Sequence, residues 1–298
     1  MPPHSYTAVA CALRYRAPFK PHRFAVTDHH RHLLRHPKPR LPPVAHVSSF
    51  SFFPAPSLYT GSSLFPAMER FCSGSTLNGN DRMIIRLKSI GVINSESVAE
   101  VMRSIDRALF VPKDTPPYDD SPMSIGFNVT ISAPHMHAMC LELLKDRLQP
   151  GMHALDIGSG TGYLTACFAQ MVGPQGRAVG VEHIPELVAL SVQNVEKSAA
   201  APLLKQGSLS LHVGDGRDGW PEEAPYDAIH VGAAAGDIPK PLIDQLKPGG
   251  RLVIPVGSVF QELMVVDKDP DGHISEHRET SVRYVPLTSR EAQLRRQL

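Results

Sequence analysis

Residues 155–162, Leu-Asp-Ile-Gly-Ser-Gly-Thr-Gly, constrain this chain more than any other stretch. Ala154, Leu155 and Ile157 suit a buried strand, and Leu164, Cys167, Phe168 and Met171 recur at helical spacing just afterwards. Three alternating glycines therefore stand between a strand and a helix, where they reach positive φ and let a ligand approach the main chain. A dinucleotide site sets its pyrophosphate over G-x-G-x-x-G at a helix N-terminus. Here the spacing is G-x-G-x-G, with Asp156 two positions before Gly158, Gly160 following and Gly162 closing the turn. A carboxylate there repels phosphate and attracts a cationic group, such as the sulfonium or ammonium of S-adenosylmethionine. Glu182 follows the apolar run Ala178 to Val181, placed to accept hydrogen bonds from both ribose hydroxyls. Either cofactor would use that second acid, and a bare structural turn is the alternative to both.

The segments around the turn alternate. Ile84, Ile85, Leu87 and Ile90 predict one short helix, and Val98, Val101, Met102, Ile105 and Leu109 another that starts at Ser95. A polar loop with four prolines, Val111 to Ser124, precedes a short strand or hairpin over Ile125 to Ile131. Pro134 then opens a helix from His135 to Leu148. Strands are predicted at Ala178–Val181, Leu209–Val213, Tyr226–Val231, Arg251–Val256, Glu262–Lys268 and Thr280–Val285. Helices are predicted from Pro185 to Lys197, from Pro239 to Leu246 and from Ser289, with a turn at Lys247–Gly250. This order predicts an α/β, doubly wound, mostly parallel sheet, whose ligands bind outside the carboxyl ends of the strands. Asp156, Glu182 and Asp215 follow the first, second and third strands, so three acids are expected to converge on one edge.

Charge divides the chain. Residues 1–67 hold 8 Lys and Arg against one acid, leaving 22 against 28 in the remainder. An acidic catalytic part disfavours binding to nucleic acid backbones. Residues 1–77 are basic and rich in Pro, Ser and His, and they lack a sustained helical or alternating pattern. They read as a disordered extension or an organelle transit peptide, with a second start possible at Met68. A plastid, mitochondrial or nuclear address through this segment is the alternative to a cytoplasmic protein. No apolar run is long enough to span a membrane. Cys11, Cys72, Cys140 and Cys167 form no C-x-x-C pair, so neither zinc nor a disulfide framework is expected, and the histidines between His22 and His36 read as part of a solvated tail. No metal is expected.

The segment Ser-Pro-Met-Ser-Ile-Gly-Phe-Asn-Val-Thr-Ile-Ser-Ala-Pro-His-Met-His-Ala from Ser121 narrows the reading. Together with the glycine turn, Val-Gly-Asp-Gly-Arg from Val213, Tyr-Asp-Ala-Ile-His-Val-Gly-Ala-Ala-Ala from Tyr226 and Leu-Lys-Pro-Gly-Gly-Arg-Leu-Val-Ile-Pro-Val-Gly from Leu246, it resembles protein-L-isoaspartate (D-aspartate) O-methyltransferases over residues 78–298. The resemblance implies a Rossmann-like, seven-stranded methyltransferase sheet with its last two strands rearranged. It implies transfer of a methyl group from S-adenosylmethionine, leaving S-adenosylhomocysteine, to the α-carboxylate of isoaspartyl residues in damaged proteins, which starts repair through a succinimide. It places the cofactor at Val129, Thr130, Ile131, Ser132, His137, Thr161, Glu182, Asp215, Gly216, Thr288 and Gln293, and matches Ser132 to the family's active-site serine. Thr161 stands where serine is also common, and Glu182 where aspartate is.

Ser132 has a second reading as the cap of the helix behind Pro134. His135 and His137, two apart on a helix, point to different sides, so one is expected to face the cofactor and the other to pack. A monomer is expected. A cofactor-keeping adaptor without activity, a nucleic acid methyltransferase and a dehydrogenase are the competing readings.

Overall fold

A computed structural model of the chain describes residues 78–295. The extension 1–77, the second start at Met68, Cys11 and Cys72 lie outside the described residues, as do 296–298. The elements are α1 (Gly79–Ser89), α2 (Glu96–Ser104), β1 (Met123–Gly126), β2 (Val129–Ile131), α3 (Pro134–Leu144), β3 (His153–Ile157), α4 (Tyr163–Val172), β4 (Arg177–Glu182), α5 (Pro185–Glu196) and α6 (Ala201–Gln206). They continue with β5 (Leu209–Val213), β6 (Tyr226–Val231), α7 (Lys240–Gln245), β7 (Leu246–Val256), β8 (Gln261–Lys268), β9 (Ile274–Val282) and α8 (Arg290–Arg295).

Seven strands form one sheet in the order β5-β4-β3-β6-β7-β8-β9, parallel as far as β7 and antiparallel thereafter. The central strands read as continuous apolar runs because both faces are covered. Ala154, Ala178 and Ala228 point into the core beneath α2, α3 and α4, while Leu155, Val179 and Ile229 point into a second core on the opposite face. Small residues dominate the first set, which lets the helices approach. Gly180 in β4 shows the limit of that approach, since a Cβ there would lie 2.9 Å from the Thr165 hydroxyl of α4.

Several boundaries differ from the sequence reading. The last predicted strand, Thr280–Val285, forms instead at Ile274–Val282. A tight reversal sets this register: Asp269 Oδ1 accepts from the amides of Asp271 (2.9 Å) and His273 (2.8 Å), so Lys268 pairs with Ile274. β9 is an edge strand of exposed polar residues and carries no apolar alternation to announce it. Lys247–Gly250, read as a turn, is an irregularity inside β7, where pairing jumps from Tyr226–Leu246 to Ala228–Arg251. α3 ends at Leu144 and runs on as a single 3-10 turn. α6 was not predicted. Of the residues that marked α1, Ile84 and Leu87 are buried, together with Asn80 and Met83, while Ile85 and Ile90 are exposed.

One polar contact crosses the middle of the sheet. Asp156 of β3 and His230 of β6 are register partners, and the carboxylate Oδ1 lies 2.8 Å from His230 Nδ1. Burial pushes the imidazole down, yet Cys140 and Asp156 beside it outweigh burial and hold its pKa up at about 10. A group raised in the folded state contributes fully below its unfolded value, near 6.5, and loses that contribution as pH rises through about 10. Denaturant unfolding should therefore show stability declining between those values, and His230→Asn should remove the decline. A wild-type curve that stays flat over the interval would contradict the charged pair.

Candidate active site

The glycine turn is built by the strand beside it. The amides of Gly158 and Ser159 donate to the Val181 carbonyl (2.8 and 3.2 Å), which folds the turn over the end of β4. Gly158 and Gly160 have φ of +71° and +53°, in the left-handed region. Glu182, the last residue of β4, is only 4% exposed. Its Oε2 accepts from the Gly160 amide (3.2 Å) and its Oε1 from the Ile184 amide (3.0 Å). Burial pushes this carboxyl above its usual range, and the amides of Ile184, Gly160 and His183 with the His183 ring only partly offset it. Two amides leave further lone pairs on the carboxylate, and these face a cavity.

The three acids do not act alike. Asp156 accepts from the Thr165 hydroxyl through Oδ2 (2.6 Å) and from His230 through Oδ1. Its charge is answered by His230 from within the protein, so it does not stand as a free counter-charge for a cationic ligand. Asp215 is held by an arginine of its own loop. Its carboxylate accepts from the Arg217 amide (3.0 Å), Nε (2.9 Å) and Nη2 (2.5 Å), and these hydrogen bonds hold it below the usual carboxylate range. The arginine two residues on captures it before it can line the cavity. Gly216 lines the cavity in its place, packed so closely that a Cβ would meet Ile157 Cγ2 at 2.3 Å.

Three hollows adjoin at the carboxyl edge of the sheet. The first, under the C-terminal segment, is lined by Val129, Thr130, Ile157, Gly158, Glu182, Gly216, Gly232, Thr288 and Gln293 among others. A second, behind the glycine turn, is lined by Thr130, Ile131, Ser132, His137, Asp156, Gly158, Gly160, Thr161, His230 and Gly232. The outer cleft is lined by Thr130, Ser132, His135, Gly232, Arg283 and Tyr284. Thr130 and Gly232 line all three, and Ser132 lines both the cleft and the inner hollow. Every residue expected at the site except Asp215 thus lines this connected space.

The C-terminal segment is strapped over the first hollow. Ala234 donates to the Val285 carbonyl (2.8 Å) and accepts from the Leu287 amide (2.7 Å), while His183 Nδ1 donates to the Thr288 carbonyl (3.1 Å). At the far end Gln293 Nε2 donates to the carbonyls of Phe127 (3.2 Å) and Asn128 (2.8 Å). Phe127 and Asn128 both have positive φ, the backbone of a two-residue hairpin turn, and Gln293 holds that turn in place.

Ser132 is not the helix cap. α3 begins at Pro134 with Ala133 in the cap position, and Ser132 lines the cleft beside Tyr284. Its carbonyl accepts from Arg107 Nη2 at 2.7 Å. The two histidines separate as their spacing predicts: His135 is half-exposed and bonded to Asp120 (2.8 Å), and His137 is buried against Tyr163 and Arg107. Burial first, then the Arg107 charge, push His137 well below the usual imidazole range, so it is neutral. Sequence reasoning did not single out Arg107, Thr165, His183, His230 or Tyr284. Only His230, a titratable group within an apolar strand, offered a signal.

The residues present suit an adenosyl cofactor. A buried carboxylate with unspent lone pairs matches a vicinal diol, glycines admit close approach to the main chain, and Val129, Ile157, Val181 and Leu287 form apolar walls. Asp269, Asp271 and His273, the group of possible metal-holding side chains among the described residues, lie exposed in the β8–β9 turn away from this space, and Asp269 is engaged by the turn's own amides.

Comparison with known proteins agrees with this geometry. The family described as Protein-L-isoaspartate(D-aspartate) O-methyltransferase (PCMT) matches residues 78–292. A protein-L-isoaspartate O-methyltransferase of Triticum aestivum is 67% identical over 227 residues, covering 76% of this chain and 99% of the relative. The corresponding protein of Caenorhabditis elegans is 48% identical over 226 residues, covering 75% and 97%. Among solved structures, a Plasmodium falciparum protein described as a protein-L-isoaspartate O-methyltransferase, in complex with S-adenosyl-L-homocysteine, superposes with a TM-score of 0.66 at 34% identity, covering 71% of this chain and 99% of that one. The chain belongs to the protein-L-isoaspartate(D-aspartate) O-methyltransferase family and is an S-adenosylmethionine-dependent methyltransferase.

Proposed function

We propose that the chain methylates the free α-carboxylate of L-isoaspartyl residues in damaged proteins, and the side-chain β-carboxylate of D-aspartyl residues. The observation that carries this reading is the meeting of an open cleft with the inner hollow at Ser132, Thr130 and Gly232. An acceptor lying in the cleft reaches the cofactor space there. The S-adenosylmethionine sulfonium supplies an electrophilic methyl group, whose transfer to a carboxylate oxygen leaves a neutral ester and a neutral thioether.

The protein's own part is placement. An α-carboxylate with a pKa of about 3.5 is already ionised at neutral pH and needs no base to activate it. Holding it in line is a proximity effect that can be large. Ser132 presents a hydroxyl to the carboxylate, and the neutral His137 and half-buried Tyr284 add polar walls without competing negative charge. Burial drives the Tyr284 phenol well above its usual range, with Cys140 adding to the effect, so it remains protonated. Once released, the ester is attacked by the following backbone nitrogen, expelling methanol and closing a succinimide. Water then reopens the ring to aspartyl or isoaspartyl product.

Two outcomes are expected. Labelled methyl from S-adenosylmethionine should enter an isoaspartyl peptide and scarcely enter its aspartyl twin, because only the isomer carries a main-chain carboxylate one methylene from the peptide link. Equal labelling of the two would remove the assignment. Ser132→Ala should lower kcat/KM by about 10- to 100-fold, the scale of one hydrogen bond to a charged group. Since Ser132 caps no helix, its stability should change by less than about 0.5 kcal/mol. Initial rates and thermal melts on one preparation decide this, and full activity would exclude Ser132 from placement.

A further inference from the structure

Arg107 is an anomaly in this molecule. It follows α2, in a 3-10 turn, and its side chain is fully buried. Buried arginines are ordinarily paired with a carboxylate. Among the described residues none lies within ion-pair distance of this guanidinium, and the neighbouring acids are engaged elsewhere. Asp106 accepts from the Ala108 amide (3.0 Å) and the Tyr118 hydroxyl (3.0 Å). Asp120 holds His135, and Asp156 holds His230 and Thr165.

The contacts that Arg107 does make are all neutral, and all belong to the active site. Nη2 donates to the Ser132 carbonyl, Nη1 donates to His137 Nδ1 (3.1 Å), and the guanidinium carbon sits 5.7 Å from the Tyr163 ring centre. Nε is buried without a partner. Because a guanidinium only donates, His137 Nδ1 must accept, which leaves the ring proton on Nε2. His137 lines the inner hollow, so the arginine decides which face of that ring is a donor.

We propose that Arg107 is a positioning residue for the acceptor: it fixes the Ser132 main chain and the His137 tautomer, and keeps an uncancelled positive charge behind the junction for the acceptor's α-carboxylate. The inference rests on the functional reading above. Its logic is charge complementarity to the bound anion: a buried cation with no ion-pair partner among the described residues favours an anionic ligand. It acts on acceptor binding and not as transition-state stabilisation, because the carboxylate's charge falls as the methyl group is transferred. Burial pushes the guanidinium pKa down, which accords with a desolvated, incompletely paired cation.

The test uses the full chain. Arg107→Met should raise KM for an isoaspartyl peptide at least 10-fold while changing kcat less than 3-fold and S-adenosylhomocysteine affinity less than 2-fold. Arg107→Lys, which restores charge without the fork, should recover part of the KM. Unchanged KM, or peptide and cofactor binding weakened alike, would overturn the proposal in favour of a purely structural arginine. Should neither variant fold, ¹⁵N-histidine spectra of the wild-type protein, with His137→Asn to assign the signal, still decide the geometry. A neutral Nε2–H ring is expected, and an Nδ1–H ring or an imidazolium would overturn the proposal. Failure of the functional reading would look different, since the wild-type protein would then not methylate the peptide at all.

Discussion

The carboxylate of Glu182 is the contact on which the rest of the site depends. It ends a strand, accepts the amide of the glycine turn on one side and the amide that leads into α5 on the other, and still faces the cavity with unspent lone pairs. A side chain that organises the turn is thus also the one aimed at the ligand. The turn in turn fixes where α4 starts, and α4 carries Thr165, which holds Asp156. Small residues make the arrangement possible, because Gly180 lets α4 lie against β4 and Gly216 lets the loop after β5 lie against Ile157.

Charge is distributed around this frame in two ways. Asp156 and His230 answer one another across the sheet and leave little net charge behind the glycine turn. Arg107, behind Ser132 and His137, has no ion-pair partner among the described residues. In the proposed reading, the site presents a carboxylate toward the cofactor's diol, a compensated pair in its middle and a cation behind the place where an anionic acceptor would reach it. This distribution suits the proposed reaction, in which an anion and a sulfonium meet and cancel, and the C-terminal segment lies hydrogen-bonded over the cofactor hollow.

Much of this was legible in the sequence, and the limits follow from what local patterns encode. Parallel strands buried on both faces announce themselves as apolar runs, and Tyr226–Val231 forms at the residues read; the edge strand Leu209–Val213, which alternates, forms there too. β9 was misplaced because its residues are mostly polar and exposed and its register is set by the Asp269 turn. Glu182 was readable because it closes a strand beside a glycine motif. Asp215 has the same position yet turns to Arg217, a competition between neighbours that spacing does not express. Arg107 was invisible for a related reason: its partners Ser132 and His137 lie 25 and 30 residues away, and only the folded chain brings them to it.

The most direct test of the central claim is calorimetric titration of S-adenosylhomocysteine into Glu182→Ala beside the wild-type protein, with thermal melts on both. If the carboxylate holds both the turn and the ribose hydroxyls, the variant remains folded with a lowered melting temperature, and binding weakens by about 1.5 to 3 kcal/mol, the scale of hydrogen bonds to a charged group. Unchanged affinity in a folded variant would contradict the account, reducing Glu182 to a support for the glycine turn.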